Sequence, residues 1–166
     1  MQMANVEPLI RAWDEAIWEY GLVFEGLADE DVWKRPHPRL LSIGELTAHV
    51  AYYEPRALTG PALIPEWEDQ IKSVLIDPAF KYYSLNVQNP VVLNVGAEET
   101  ISELKRVHEE SKAFVNRIER DTEDPIEGAE KMTWGFYLRY RIFHAAYHAG
   151  QAYSVRHLFG HETTDN

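Results

Sequence analysis

The sequence predicts an all-α protein, a four-helix bundle with a long crossover between its second and third helices, in one domain over residues 1–166. Three observations lead there. Four stretches carry apolar side chains at the three-and-four spacing of a helix face. Capping and stop signals punctuate those stretches. No run alternates cleanly enough to build a packed sheet.

Taken in order, Val6, Leu9, Ile10, Trp13, Ile17, Tyr20, Phe24 and Leu27 trace one face of a first helix over 5–27, with Arg11, Asp14, Glu15 and Glu19 mostly opposite. "LADEDVWKRPHPRL" follows, and its two prolines in three positions end that helix. "SIGEL" opens the second: the Ser42 hydroxyl accepts from the third helical amide while Glu45 reaches back, a reciprocal capping box. That helix is expected to run to about Leu58, with Pro55 as a kink or early stop. Residues 60–96 form the crossover. Within it "PEWEDQIKSVL" suits a short helix opened by Pro65, and "YYSLNVQNPVVLNV" allows one short strand pair. A third helix is expected over 97–120, with Ile101, Leu104, Val107, Phe114 and Ile118 inward. "RDTEDPIEGAEKM" reads as an acidic loop. Thr133 then caps a fourth helix that runs to the stop at Gly160. No internal repeat is present.

Composition narrows the function classes. The chain has 166 residues, 45% of them apolar, and a formal charge of −11. Net repulsion from a polyanion argues against nucleic acid as a partner. Charges and prolines interrupt every hydrophobic stretch, and the N-terminus has no secretory pattern, so a soluble cytoplasmic protein with no membrane association is expected. There is no cysteine. Disulfides, thiolate metal sites and a cysteine nucleophile are excluded, and any sulfur chemistry must arrive with a substrate or a thiol cofactor.

The chemistry-bearing residues are histidines. "HAAYHAGQ" sets His144 and His148 four apart on one helix face, about 6 Å between side chains, with Gln151 three further on. The pair by itself leaves two readings open, a metal site or two core histidines. His49, in "ELTAHVAYYE", shares its face with Leu46, Tyr52 and Tyr53 and so points toward the bundle axis. One imidazole from one helix and two from a neighbour make a three-nitrogen set with positions left for water or substrate, the pattern of a catalytic rather than a closed structural ion. Bundle cores hold such sites. Gln151 is then expected to orient a ring or a water from behind.

The other candidates are weaker. Gly160 separates His157 from His161. His37 lies between prolines. His108 reads as surface or half-buried. Glu45 is explained by its capping role. Glu54 and tyrosines 52, 53, 137, 140 and 147 are candidates for pocket lining, Tyr53 and Tyr140 foremost. One of Arg139, Arg141 and Arg156 is placed to pair with a substrate carboxylate, surface salt links being the ordinary alternative.

"DVWKRPHPRLLSIGELTAHVAYYE", followed much later by "HAAYHAGQAYSVRHLFG", resembles the DinB-like (DinB/YfiT) superfamily of metalloenzymes. The tryptophan–proline loop, the Ser-x-Gly-Glu-Leu helix start and the H-x-x-x-H-x-Gly-Gln run match in order. The resemblance implies up-down-down-up connectivity, a divalent ion (zinc, nickel or iron(II)) on His49, His144 and His148, and a homodimer. Characterised members include transferases and isomerases that use low-molecular-weight thiols such as bacillithiol, mycothiol or glutathione. The crossover here is longer and more aromatic than in the simplest members. The function expected is therefore a thiol-dependent S-transferase or isomerase acting on a small molecule. The alternatives are a metal-dependent hydrolase, or a non-catalytic dimeric stress protein that binds a small ligand or metal.

Overall fold

The computed structural model describes residues 6–56, 70–81, 90–117, 121–126 and 129–162. Its regular structure is almost all helical: α1 (Glu7–Leu22), α2 (Asp29–Val32), α3 (Ile43–Tyr53), a 3-10 turn at Pro78–Phe80, α4 (Ala97–Val115) and α5 (Trp134–Leu158), with a small hairpin of β1 (Pro125–Ile126) and β2 (Ala129–Thr133). No helix among the described residues is long and apolar enough to cross a membrane. Among the four long helices, α1 packs on α5 and α4, and α3 packs on α5 and α4.

The expected stripe of α1 is buried at Ile10, Trp13, Ile17 and Tyr20. It outlives the helix. Phe24 and Leu27 are buried too, but the regular helix ends at Leu22 rather than 27. The chain tightens there into i→i+3 bonds, Phe24 N to Gly21 O and Glu25 N to Leu22 O, and turns at Gly26 with φ +66°, where a side chain would be strained.

α3 starts as its capping box requires. Glu45 N donates to Ser42 Oγ at 3.1 Å, and Ser42 N donates to Glu45 Oε2 at 2.9 Å. Arg35, from the proline-rich loop, also pairs with Glu45, its Nε donating to Oε2 at 2.7 Å. The Trp33 ring lies against Gly44, where a Cβ would meet ring atoms at 2.5–2.8 Å. These contacts bring the loop down onto the first turn of α3. The helix ends at Tyr53, the early stop that Pro55 suggested; Leu58 lies outside the described residues.

α4 ends at Val115 rather than 120. Its N-terminus takes a cap from a distant residue: Asp29 Oδ1 accepts from Ala97 N at 2.7 Å, and Gly96 leaves room for that carboxylate. The expected helix from Pro65 falls mostly outside the described residues, as do residues 82–89; residues 90–95 hold no strand. A strand pair is found in the stretch read as an acidic loop, where β1 pairs antiparallel with β2 and Ile126 is buried as a core residue. Two residues of β1 are too few to show alternation. Thr133 caps α5, its hydroxyl accepting from Phe136 N at 3.2 Å, and Gly160 closes the end with φ +82°.

Candidate metal centre

α3 and α5 are in contact, and the contact carries the histidines. His49, His144 and His148 are all buried, at 8%, 6% and 4% exposure. Their ring centroids lie 5.2 Å apart (His49–His144), 4.8 Å (His49–His148) and 4.6 Å (His144–His148). One nitrogen from each ring lies within 4.8 Å of the others, so the three form a group able to hold a metal ion.

Ring orientation is set from outside the cluster. His49 Nδ1 faces the Phe80 carbonyl at 2.7 Å. A carbonyl only accepts, so the proton resides on Nδ1 and Nε2 keeps its lone pair. That Nε2 lies 3.3 Å from Nε2 of His144. His148 Nδ1 donates to Gln151 Oε1 at 2.7 Å, which leaves its Nε2 as the free acceptor, while Gln151 Nε2 donates to the Tyr147 hydroxyl at 3.3 Å. Carbonyl-type oxygens behind histidine rings fix the tautomer and raise the basicity of the opposite nitrogen toward an ion.

All three imidazoles are held below the ordinary histidine pKa. Burial is the largest cause for each. It takes His144 down to about 2, helped by the charges of His148, Arg141 and His49. His148 falls to about 4 through burial and His49, opposed by Gln151. His49 is lowered by burial against the Phe80 bond. The rings are therefore neutral at pH 7, the form that binds metal.

The lining expectations divide. Tyr53 sets its ring edge-on to His49 (5.1 Å) and His144 (5.6 Å), and its hydroxyl donates to the Lys81 carbonyl at 2.7 Å. Tyr140 stacks on His144 at 6.1 Å. Phe143 and Tyr147 continue that aromatic flank at the surface, their rings 5.9 Å apart. Tyr137 and Glu54 do not line the cluster. Tyr137 is fully buried, with its hydroxyl donating to the Glu54 carbonyl at 3.1 Å. The Glu54 carboxylate accepts from Trp13 Nε1 at 3.2 Å and bonds His108 Nδ1 at 2.9 Å.

His108 is thus more deeply buried than the surface or half-buried position expected of it. It is 3% exposed and bridges Glu54 to Asp14, whose Oδ1 lies 2.8 Å from Nε2. It does not join the three-histidine group. His161 pairs with Asp31 at 3.0 Å, away from the cluster, and His37 accepts from Arg39 N in its loop.

The Phe80 carbonyl is the feature that side-chain reasoning missed. Its signal was indirect: Asp77–Pro78 is a turn start, and Asp77 Oδ1 does accept from Ala79 N at 2.8 Å to shape the 3-10 turn. A surface groove of about 460 Å³ lies elsewhere, lined by Trp18, Leu22, Phe24, Ile101 and Lys105, and touches none of the three histidines.

Fold and site define a helical protein with an interior cluster of three neutral imidazoles drawn from two helices. The chain belongs to the DinB superfamily, whose family pattern matches residues 12–152. A solved structure, described as the conserved protein of locus from Enterococcus faecalis, is similar in fold, with a TM-score of 0.58 at 19% identity over 96% of this chain and 100% of that one. No curated protein matches the chain.

Proposed function

We propose that the protein is a divalent-metal-dependent enzyme whose ion, zinc, nickel or iron(II), is held by Nε2 of His49, His144 and His148. The mutual packing of the four long helices supports reading the fold as a four-helix bundle in a single domain, with up-down-down-up connectivity as part of the same proposal. The observation that carries the proposal is the 3.3 Å between the His49 and His144 Nε2 atoms. Two nitrogens each ~2.0–2.1 Å from a tetrahedral ion stand roughly 3.3 Å apart. The same gap suits a proton shared between two rings. A third neutral imidazole within reach, with Gln151 turning its free nitrogen toward the pair, favours the ion.

Three ligands leave a position open to a small molecule. When bound, the ion supplies Lewis acidity that favours the thiolate of a low-molecular-weight thiol, or ionises water. The chain's own residues do the rest. The Phe80 carbonyl and Gln151 hold two rings in orientation, and Tyr53 and Tyr140 exclude water on one side. Phe143 and Tyr147 offer an apolar approach for the electrophile. With no cysteine in the chain, no internal thiol competes for the ion. A thiol-dependent S-transferase or isomerase, working as a soluble cytoplasmic homodimer, is the reaction class that fits.

The test is turnover of a chromogenic electrophile with glutathione, bacillithiol and mycothiol by metal-loaded protein. Thiol conjugation or thiol-dependent isomerisation that disappears on chelation and returns with the ion is expected. Product release that needs the ion but no thiol would replace the transferase with a hydrolase. Rates equal with and without metal would refute both.

A further inference from the structure

Arg141 lies one helical turn before His144 on the inward stripe of α5. It is 1% exposed, yet its Nε, Nη1 and Nη2 atoms have no hydrogen-bond partner among the described residues. The Arg156 guanidinium, buried on the same helix, has an unpartnered Nε too, but both of its terminal nitrogens are accommodated. Its Nη1 donates to the Val23 carbonyl at 2.7 Å and its Nη2 to the Glu162 carbonyl at 3.0 Å. Arg141 has the Tyr137 ring, 4.8 Å from its guanidinium carbon. The neighbouring buried carboxylate, Glu54, is occupied by Trp13 and His108. The Tyr137 phenol lies close enough for the guanidinium's charge and a loose contact with it to oppose the upward push of burial, but none of the three Arg141 nitrogens meets a partner with full hydrogen-bond geometry.

A guanidinium does not lose its proton in a protein, so burial cannot be relieved by neutralisation. An aromatic face offsets a small part of the desolvation, and the remainder calls for a counter-charge. We infer that Arg141 is the anchor of an oxyanion subsite beside the three-histidine cluster, taking a carboxylate or phosphate group of the substrate in its two-pronged fork. The stripe Tyr137, Arg141, His144, His148 runs at four, three and four residues, so an anion on Arg141 lies one turn from the imidazoles. The inference rests on the metal proposal for what the rest of the substrate does, but the guanidinium is no ligand of the ion and its anion binding stands apart.

The experiment is thermal unfolding of the protein, as purified and after stripping with a chelator, against sodium acetate and inorganic phosphate at fixed ionic strength, with chloride as reference. Acetate and phosphate distinguish the two oxyanion sources. The wild type is expected to show a saturable rise in midpoint with one of them in both preparations. Arg141→Met is expected to lose that rise and to unfold in chloride at or above the wild-type temperature, because an unpaired buried charge has been removed. Arg141→Lys, which keeps the charge without the fork, is expected to respond at least tenfold more weakly. A midpoint rise that persists in Arg141→Met, no rise with either anion, or an Arg141→Met protein that unfolds well below wild type in chloride would each overturn the inference. Zinc titration of the same wild-type sample reports on the metal proposal independently: no zinc bound would end that proposal and leave the anion result as measured.

Discussion

Replacing Glu54 with Leu tests whether the buried network under the site is an energetic unit. Glu54 is 1% exposed and serves two donors, Trp13 Nε1 at 3.2 Å and His108 at 2.9 Å. Taking one partner from a buried charged pair costs roughly 3–5 kcal/mol, and the lower end applies here because His108 keeps Asp14 at 2.8 Å while Trp13 Nε1 loses its acceptor. In a chain of this size each kcal/mol moves Tm by about 2–4 °C, so a fall of about 10 °C is expected. Glu54→Leu/His108→Leu removes both members and leaves Asp14 its bond to Lys112 at 2.7 Å. It should therefore cost less than the two single changes summed, by about 1–3 kcal/mol. Urea denaturation of the wild type, both single variants and the double variant at pH 7 closes the cycle. Additivity within about 0.5 kcal/mol would refute the idea that the two side chains stabilise each other.

Three further outcomes follow from the same geometry. Burial lowers the His108 pKa, but Glu54 and Asp14 outweigh it and leave the group above its ordinary value, with Lys112 and Glu109 nearby through Asp14 and Trp13 against the ring. A raised histidine stabilises the fold below the unfolded pKa, about 6.5, and that contribution is lost as pH rises through the folded value. Denaturation midpoints should fall across that rise in the wild type and stay flatter in His108→Leu. Gly44→Ala forces a Cβ into the Trp33 ring and should destabilise by about 1–3 kcal/mol, read by calorimetry. Gln151→Leu removes the acceptor behind His148 and should weaken metal affinity about 10–100-fold by competitive chelator titration, with unchanged helical content by circular dichroism.

The sequence made the helices legible where one local signal coincided with another. Ser42 and Glu45 marked the start of α3, Thr133 and Gly160 bracketed α5, and the four-residue spacing of His144 and His148 survived folding unchanged. The convergence of His49 on that pair was also readable, because its face was shared with apolar neighbours. What escaped depended on residues far apart in the chain. Asp29 capping α4 and His108 bridging α1 to the end of α3 leave no periodic trace. The Phe80 carbonyl has no side-chain signature at all. The end of α1 was misjudged for a different reason: Phe24 and Leu27 continue the stripe because turns bury side chains too. The small hairpin around Ile126 was too short to alternate.

The most direct test is metal stoichiometry of the wild type and His148→Ala, measured by elemental analysis and by titration of stripped protein with zinc, nickel and iron(II). One divalent ion per chain in the wild type, falling sharply in a His148→Ala protein that keeps its helical circular dichroism, is the expected result. A folded His148→Ala protein that binds as much metal as the wild type, or a wild type that binds none, would contradict the account.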